Sequence, residues 1–117
     1  MGSYRTLITG YEKIIIDIIQ KAILTYGKGR GNGVLITPNV VRRLVPDEAK
    51  TSKGYVISSI LSILKHFMRC LEKDGVVRIH KRKSSTLYFI PKTSFELLLN
   101  TSWLVTKFER CYEESSY

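Results

Sequence analysis

Apolar residues recur at three- and four-residue intervals in three stretches of this chain, and two short runs between them are rich in β-branched and aromatic residues. Over residues 11–26, Tyr11, Ile14, Ile15, Ile18, Ile19, Ala22, Ile23 and Tyr26 define one helical face. Glu12, Lys13, Asp17, Gln20 and Lys21 fall opposite, so the spacing predicts an amphipathic helix despite its many isoleucines. Over residues 53–73, Val56, Ile57, Ile60, Leu61, Leu64, Phe67, Met68 and Leu71 form a second apolar stripe, with Tyr55, Ser58, Ser59, Ser62, His66, Arg69 and Lys73 on the other side. A third helix is predicted over about 94–113. Its apolar residues cover so much of the circumference that part of the surface, Leu98, Trp103, Val105, Phe108 and Tyr112, is expected to meet a second copy of the chain.

The segments between these helices carry local punctuation. Gly27 ends the first helix, and the alternating glycines from Gly27 to Gly33 predict a loop. Val34-Leu35-Ile36 predicts a short strand, followed by Thr37 as N-cap and Pro38 in the first turn of a helix running to Val45, before Pro46. Residues 47–52 make a connector. Asp74-Gly75 closes the 53–73 helix, after which Val76–His80 and Leu87–Ile90 predict a hairpin whose tip is Lys81-Arg82-Lys83-Ser84-Ser85-Thr86. The expected architecture is a single mostly helical α+β domain, with a core over about residues 11–91 and a C-terminal helix added to it.

Charge changes this picture from a fold to a surface. The 117 residues carry a formal net charge of +9. Between residues 28 and 92 there are fourteen Lys/Arg and four Asp/Glu, whereas the two ends are near neutral or acidic. A basic face rather than a basic tail is implied, and with it an anionic partner such as nucleic acid. No stretch of eighteen apolar residues is present and no secretory leader pattern opens the chain, so an intracellular location is expected. Cys70 and Cys111 lack metal-ligand spacing and are expected to be reduced and partly buried.

The order helix, strand, helix, helix, strand, basic loop, strand, helix, together with the junction Cys70-Leu71-Glu72-Lys73-Asp74-Gly75-Val76-Val77-Arg78, resembles the winged helix-turn-helix domain of archaeal and bacterial DNA-binding regulators. The resemblance covers residues 11–91. The abundance of Ile, Lys and Tyr is also similar to proteins of thermophilic archaea and their viruses or plasmids. What the resemblance implies is a homodimer on double-stranded DNA, with the helix over 53–73 in the major groove and the basic hairpin, the wing, over the adjacent minor groove or backbone. The connector between the two central helices departs from the tightest turn of that family.

Candidate contacts follow from the residues themselves. Tyr55, Ser58, Ser59 and Ser62, with Lys53 just before them, share one side of the expected reading helix. Serine is an indifferent helix former, so three within five positions favour contact over mere solvation. Lys81, Arg82 and Lys83 repel one another at a hairpin tip unless an anion screens them, which favours phosphate contact over a solubilising turn. Arg42 and Arg43, on the helix begun by Thr37 and Asn39, are equally readable as phosphate contacts or ordinary surface arginines. Lys28 and Arg30 lie in the glycine loop, which lacks the ending of a phosphate-binding loop and is better read as a linker. His66 and His80 have no nucleophile, carboxylate cluster or metal-ligand partner in sequence, so neither an enzyme, a metal nor a cofactor is expected. A transcription regulator is the leading expectation. A DNA-segregation or architectural protein, or a protein-interaction adaptor, is the alternative.

Overall fold

The computed structural model describes the backbone of residues 2–29, 31–45 and 55–115, and side chains within residues 10–29, 31–45 and 57–112. Arg30, Lys53, the 47–52 connector and the Tyr55 side chain lie outside the described residues. Helix α1 runs Gly2–Tyr26, strand β1 Gly33–Ile36, helix α2 Pro38–Leu44 and helix α3 Tyr55–Lys73. Strands β2 (Arg78–Lys81) and β3 (Thr86–Pro91) follow, then a 3-10 turn at Lys92–Ser94, helix α4 (Phe95–Leu99) and helix α5 (Thr101–Ser115).

Helix α1 is the hub of the core and packs against α2, α3, α4, α5 and β1. Ile15, Ile18, Ile19 and Ala22 are fully buried, as their spacing predicts, and Ile16 is buried as well because neighbours enclose more than one side of the helix. Burial of this kind outweighs the small propensity penalty of so many β-branched residues. The helix begins upstream of the expected Tyr11, since no proline interrupts the backbone between Gly2 and Tyr11. At its other end the Gly27 N–H donates to Ile23 O at 2.8 Å. A Cβ on Gly27 would lie 2.3 Å from that oxygen and 2.8 Å from the Phe95 ring, so only glycine fits the contact between α1 and α4.

The two central helices follow their local signals. Thr37 caps α2, its hydroxyl accepting from the Val40 N–H at 3.2 Å. Val45 leaves the helix in an extended conformation, as a residue before proline does. Helix α3 ends in a paired arrangement: Gly75, at φ +75°, donates its N–H to Glu72 O, and the Val76 N–H donates to Leu71 O. Both carbonyls orphaned at the helix end are thereby satisfied, with Leu71 and Val76 buried together.

The three strands form one antiparallel sheet in the order β1-β3-β2, with Val34 opposite Ile90 and Ile79 opposite Tyr88. Val34, Ile36, Tyr88 and Ile90 turn to the core. Strand β2 starts two residues later than the pattern predicts. Consecutive Val76 and Val77 are both buried, and Val76 O accepts from the Ser94 hydroxyl at 2.6 Å rather than joining the sheet.

Two expectations are corrected at the C-terminus. The single helix expected over 94–113 is broken at Asn100, which ends α4 in an extended conformation and caps α5, its Oδ1 accepting from the Trp103 N–H at 3.1 Å. Gln20 on α1 braces the break, donating to Leu98 O at 3.2 Å and to the Thr101 hydroxyl at 3.1 Å. The two segments therefore bury different faces, which explains an apolar circumference too broad for one straight helix. Leu98 and Phe108, assigned from the sequence to a dimer surface, are 0% and 2% exposed in the chain's own core. Trp103, Val105 and Tyr112 pack half-buried against it.

The second correction concerns the cysteines, which form a disulfide rather than remaining reduced. Packing of α5 on α3 brings their Cα atoms to 6.1 Å, within bridging range, although 41 residues separate them. Around the bridge the Tyr112 hydroxyl donates to Ile63 O at 3.0 Å, Phe67 meets Phe108 edge-on at 5.1 Å, and Lys107 pairs with Asp74.

Candidate nucleic-acid interface

Helix α3 buries Ile60, Leu64, Phe67, Met68 and Leu71, and that burial fixes which side chains it shows outward. Ser58, Ser62, Lys65 and Arg69 are exposed at four- and three-residue steps and so lie along one line of the helix. Ser59 is half-buried to one side, and His66 leaves the stripe altogether, its ring 4.8 Å from that of Tyr112. The outward stripe read from the sequence thus loses His66 and gains Lys65.

The hairpin supplies the opposing wall. Lys81 pairs with Thr86, and the Arg82 N–H donates to Ser85 O at 2.8 Å, closing a four-residue tip. Lys81, Arg82 and Lys83 are all exposed on it. Ser84, Ser85 and Thr86 instead line a groove of about 420 Å³ that α3 bounds with Ser58, Leu61, Ser62 and Lys65, and α2 with Pro38 and Val41. Among the described residues no carboxylate lines it.

Tyr88 completes that lining from inside the sheet. It is 5% exposed, and its hydroxyl is not one of the enclosed side-chain atoms left without a partner. Burial raises its pKa above 10.0, the smaller pull of the Arg69 charge acting the other way, so the phenol remains a proton donor at neutral pH.

The remaining predicted contacts are dispersed. Arg42 and Arg43 are exposed in the last turn of α2, where their charge complements the helix dipole, and Arg42 Nη1 donates to Asn39 Oδ1 at 3.3 Å. At the start of that helix the Thr37 cap uses the Val40 N–H. Lys28 is exposed beyond α1. The glycine loop that holds it is tied to the sheet by Lys92, whose N–H donates to Asn32 O and whose Nζ donates to Gly29 O at 3.1 Å. That tether replaces the free linker expected from the glycines.

Lys65 and Tyr88 are the members that sequence reasoning missed. The signal for Lys65 was present, because 58, 62, 65 and 69 continue one helical line. Tyr88 gave none, since an inward tyrosine on a strand reads as core. Among the described residues no group of three His, Cys, Asp or Glu is placed to hold a metal ion, and no helix is long and apolar enough to cross a membrane. No family model matches the chain, and neither a curated protein nor a solved structure matches it.

Proposed function

We propose that this chain is a winged helix-turn-helix protein that binds double-stranded DNA, most simply as a transcription regulator, with α3 toward the major groove and the β2–β3 hairpin as the wing. One observation carries the reading. The outward residues of α3 and the wing hydroxyls line the same groove, and the exposed triplet Lys81-Arg82-Lys83 adjoins its wall. Element order and the β1-β3-β2 sheet support it. So does the net charge of +9, which favours a polyanion.

A two-fold pair of chains on a palindromic site belongs to the proposal. Its surface would come from half-exposed Trp103 and Val105 rather than from Leu98 and Phe108, which the core occupies. The setting proposed is cytoplasmic and nucleoid-associated, without catalytic activity. A disulfide inside a cell is characteristic of hyperthermophiles, which supports the thermophilic archaeal character suggested by composition.

A specific observation favours a second reading, that of an architectural or segregation protein spreading on DNA. Among the described residues the groove lining contains no Arg, Asn or Gln, the residues that read base edges most sharply. Selection of bound duplexes from random DNA, followed by footprinting, separates the two. A fixed footprint on an enriched motif is expected of a regulator, and one that lengthens with protein concentration is expected of an architectural protein. Absence of binding to every duplex at moderate salt would overturn both.

A further inference from the structure

The groove between α3 and the wing has the chemistry of a ligand seat, not merely of a gap between two contact surfaces. Its volume of about 420 Å³ lies toward the small end of pockets that hold ligands, about 300–1,000 Å³. Its polar lining comes from separate elements: Ser58, Ser62 and Lys65 on the helix, and Ser84, Ser85 and Thr86 on the hairpin. Hydroxyls both donate and accept, but an ammonium with no carboxylate among the described lining residues selects for an anion. The apolar part, Val41, Leu61 and the Tyr88 ring, suits the non-ionic body of the same ligand.

Tyr88 adds a further donor to the lining. The residue as a whole is 95% buried, but its hydroxyl is not one of the enclosed polar atoms left without a partner, so that oxygen reaches solvent. A protonated hydroxyl in the wall of a groove lined by hydroxyls and a lysine can donate to a bound acceptor.

We infer that this groove seats one sugar–phosphate unit, with the Tyr88 hydroxyl and Lys65 Nζ as the phosphate's donors, the serine and threonine hydroxyls around it, and the sugar over Val41 and Leu61. The inference deepens the DNA-binding proposal and rests on it in one form: the unit belongs either to the backbone of a bound duplex or to a free nucleotide. In the duplex form the groove grips one strand without reading bases, and the outer cations Lys81, Arg82 and Lys83 draw the strand toward it.

Tyr88→Phe removes a single oxygen, and Lys65→Gln removes a charge at an exposed position. Both variants are compared with the wild type by titration with a mixed-sequence duplex at several salt concentrations and with adenosine monophosphate, and thermal unfolding confirms that each still folds. In the duplex form, Tyr88→Phe weakens binding about three- to tenfold irrespective of sequence, and Lys65→Gln lowers the salt slope by about one. If the wild type binds no duplex but takes up the nucleotide, and Tyr88→Phe loses that binding, the seat stands and the DNA proposal falls. Duplex binding unchanged in affinity and salt slope by both variants would overturn the seat while leaving the DNA proposal intact. Binding of neither ligand by the wild type would overturn both.

Discussion

The two ends of helix α3 are built for opposite purposes. From its middle to its C-terminal end the helix is fastened to α5: Tyr112 donates to the Ile63 carbonyl, Phe67 meets Phe108, Cys70 is bridged to Cys111, and Asp74 just beyond the helix pairs with Lys107. Its N-terminal half shows Ser58 and Ser62 to an open groove, which among the described residues α2, the hairpin hydroxyls and Tyr88 also line. Side chains that must meet a ligand gain little from being well placed if the element carrying them can tilt. Fastening one end lets the other stay uncovered and yet hold its direction.

Breaking the fastened end should therefore have the larger effect on stability. Closing a 41-residue loop restricts the unfolded chain by about 4 kcal/mol in the loop-entropy picture. Cys111→Ser, or reduction of the bridge, should lower the unfolding midpoint by on the order of 15 °C. Calorimetry with and without a dithiol checks this, and a midpoint that does not move would mean that packing alone fastens the helix. A smaller loss is expected from Asn100→Ala, which removes the cap of α5 and should cost about 1 kcal/mol in urea unfolding.

The smallest effect concerns Glu12, on the α1 side of the same fastened region. Burial, and secondarily the charge of Glu109, raise its pKa, and its Oε1 is buried without a partner. The folded state therefore holds this proton more tightly than the unfolded one, so ionisation above the raised pKa opposes folding. Glu12→Gln should raise the unfolding midpoint at neutral pH, and the gain should vanish as the pH falls through that raised pKa toward the ordinary 4.5. A gain independent of pH would point to packing instead of charge.

Features decided by a few neighbouring residues were legible in the sequence. The Thr37-Pro38 start of α2, the Gly75 end of α3 and the basic hairpin all stand where the local pattern puts them. Asn100 carried a local capping signal too, but apolar residues recur on both sides of it, from Phe95 to Leu99 and from Trp103 to Phe108, and together they read as one helix. The disulfide was illegible for a different reason. Nothing in the spacing of Cys70 and Cys111 shows that α5 folds back along α3. On the candidate site, the serine line and the wing cations could be read directly. That the serines share a groove with the hairpin hydroxyls, with Tyr88 in its wall, depends on how the sheet packs against α3.

The central claim is that the uncovered end of α3 and the wing form one surface for a nucleic-acid backbone. The most direct test is duplex affinity measured against salt for the wild type and for Lys81→Glu combined with Arg82→Glu, two exposed positions whose change should leave folding intact. The account predicts that reversing these charges abolishes measurable binding at moderate salt, and that any binding remaining at low salt has a log–log slope shallower by about two. Equal affinity and equal slope in the two proteins would contradict it.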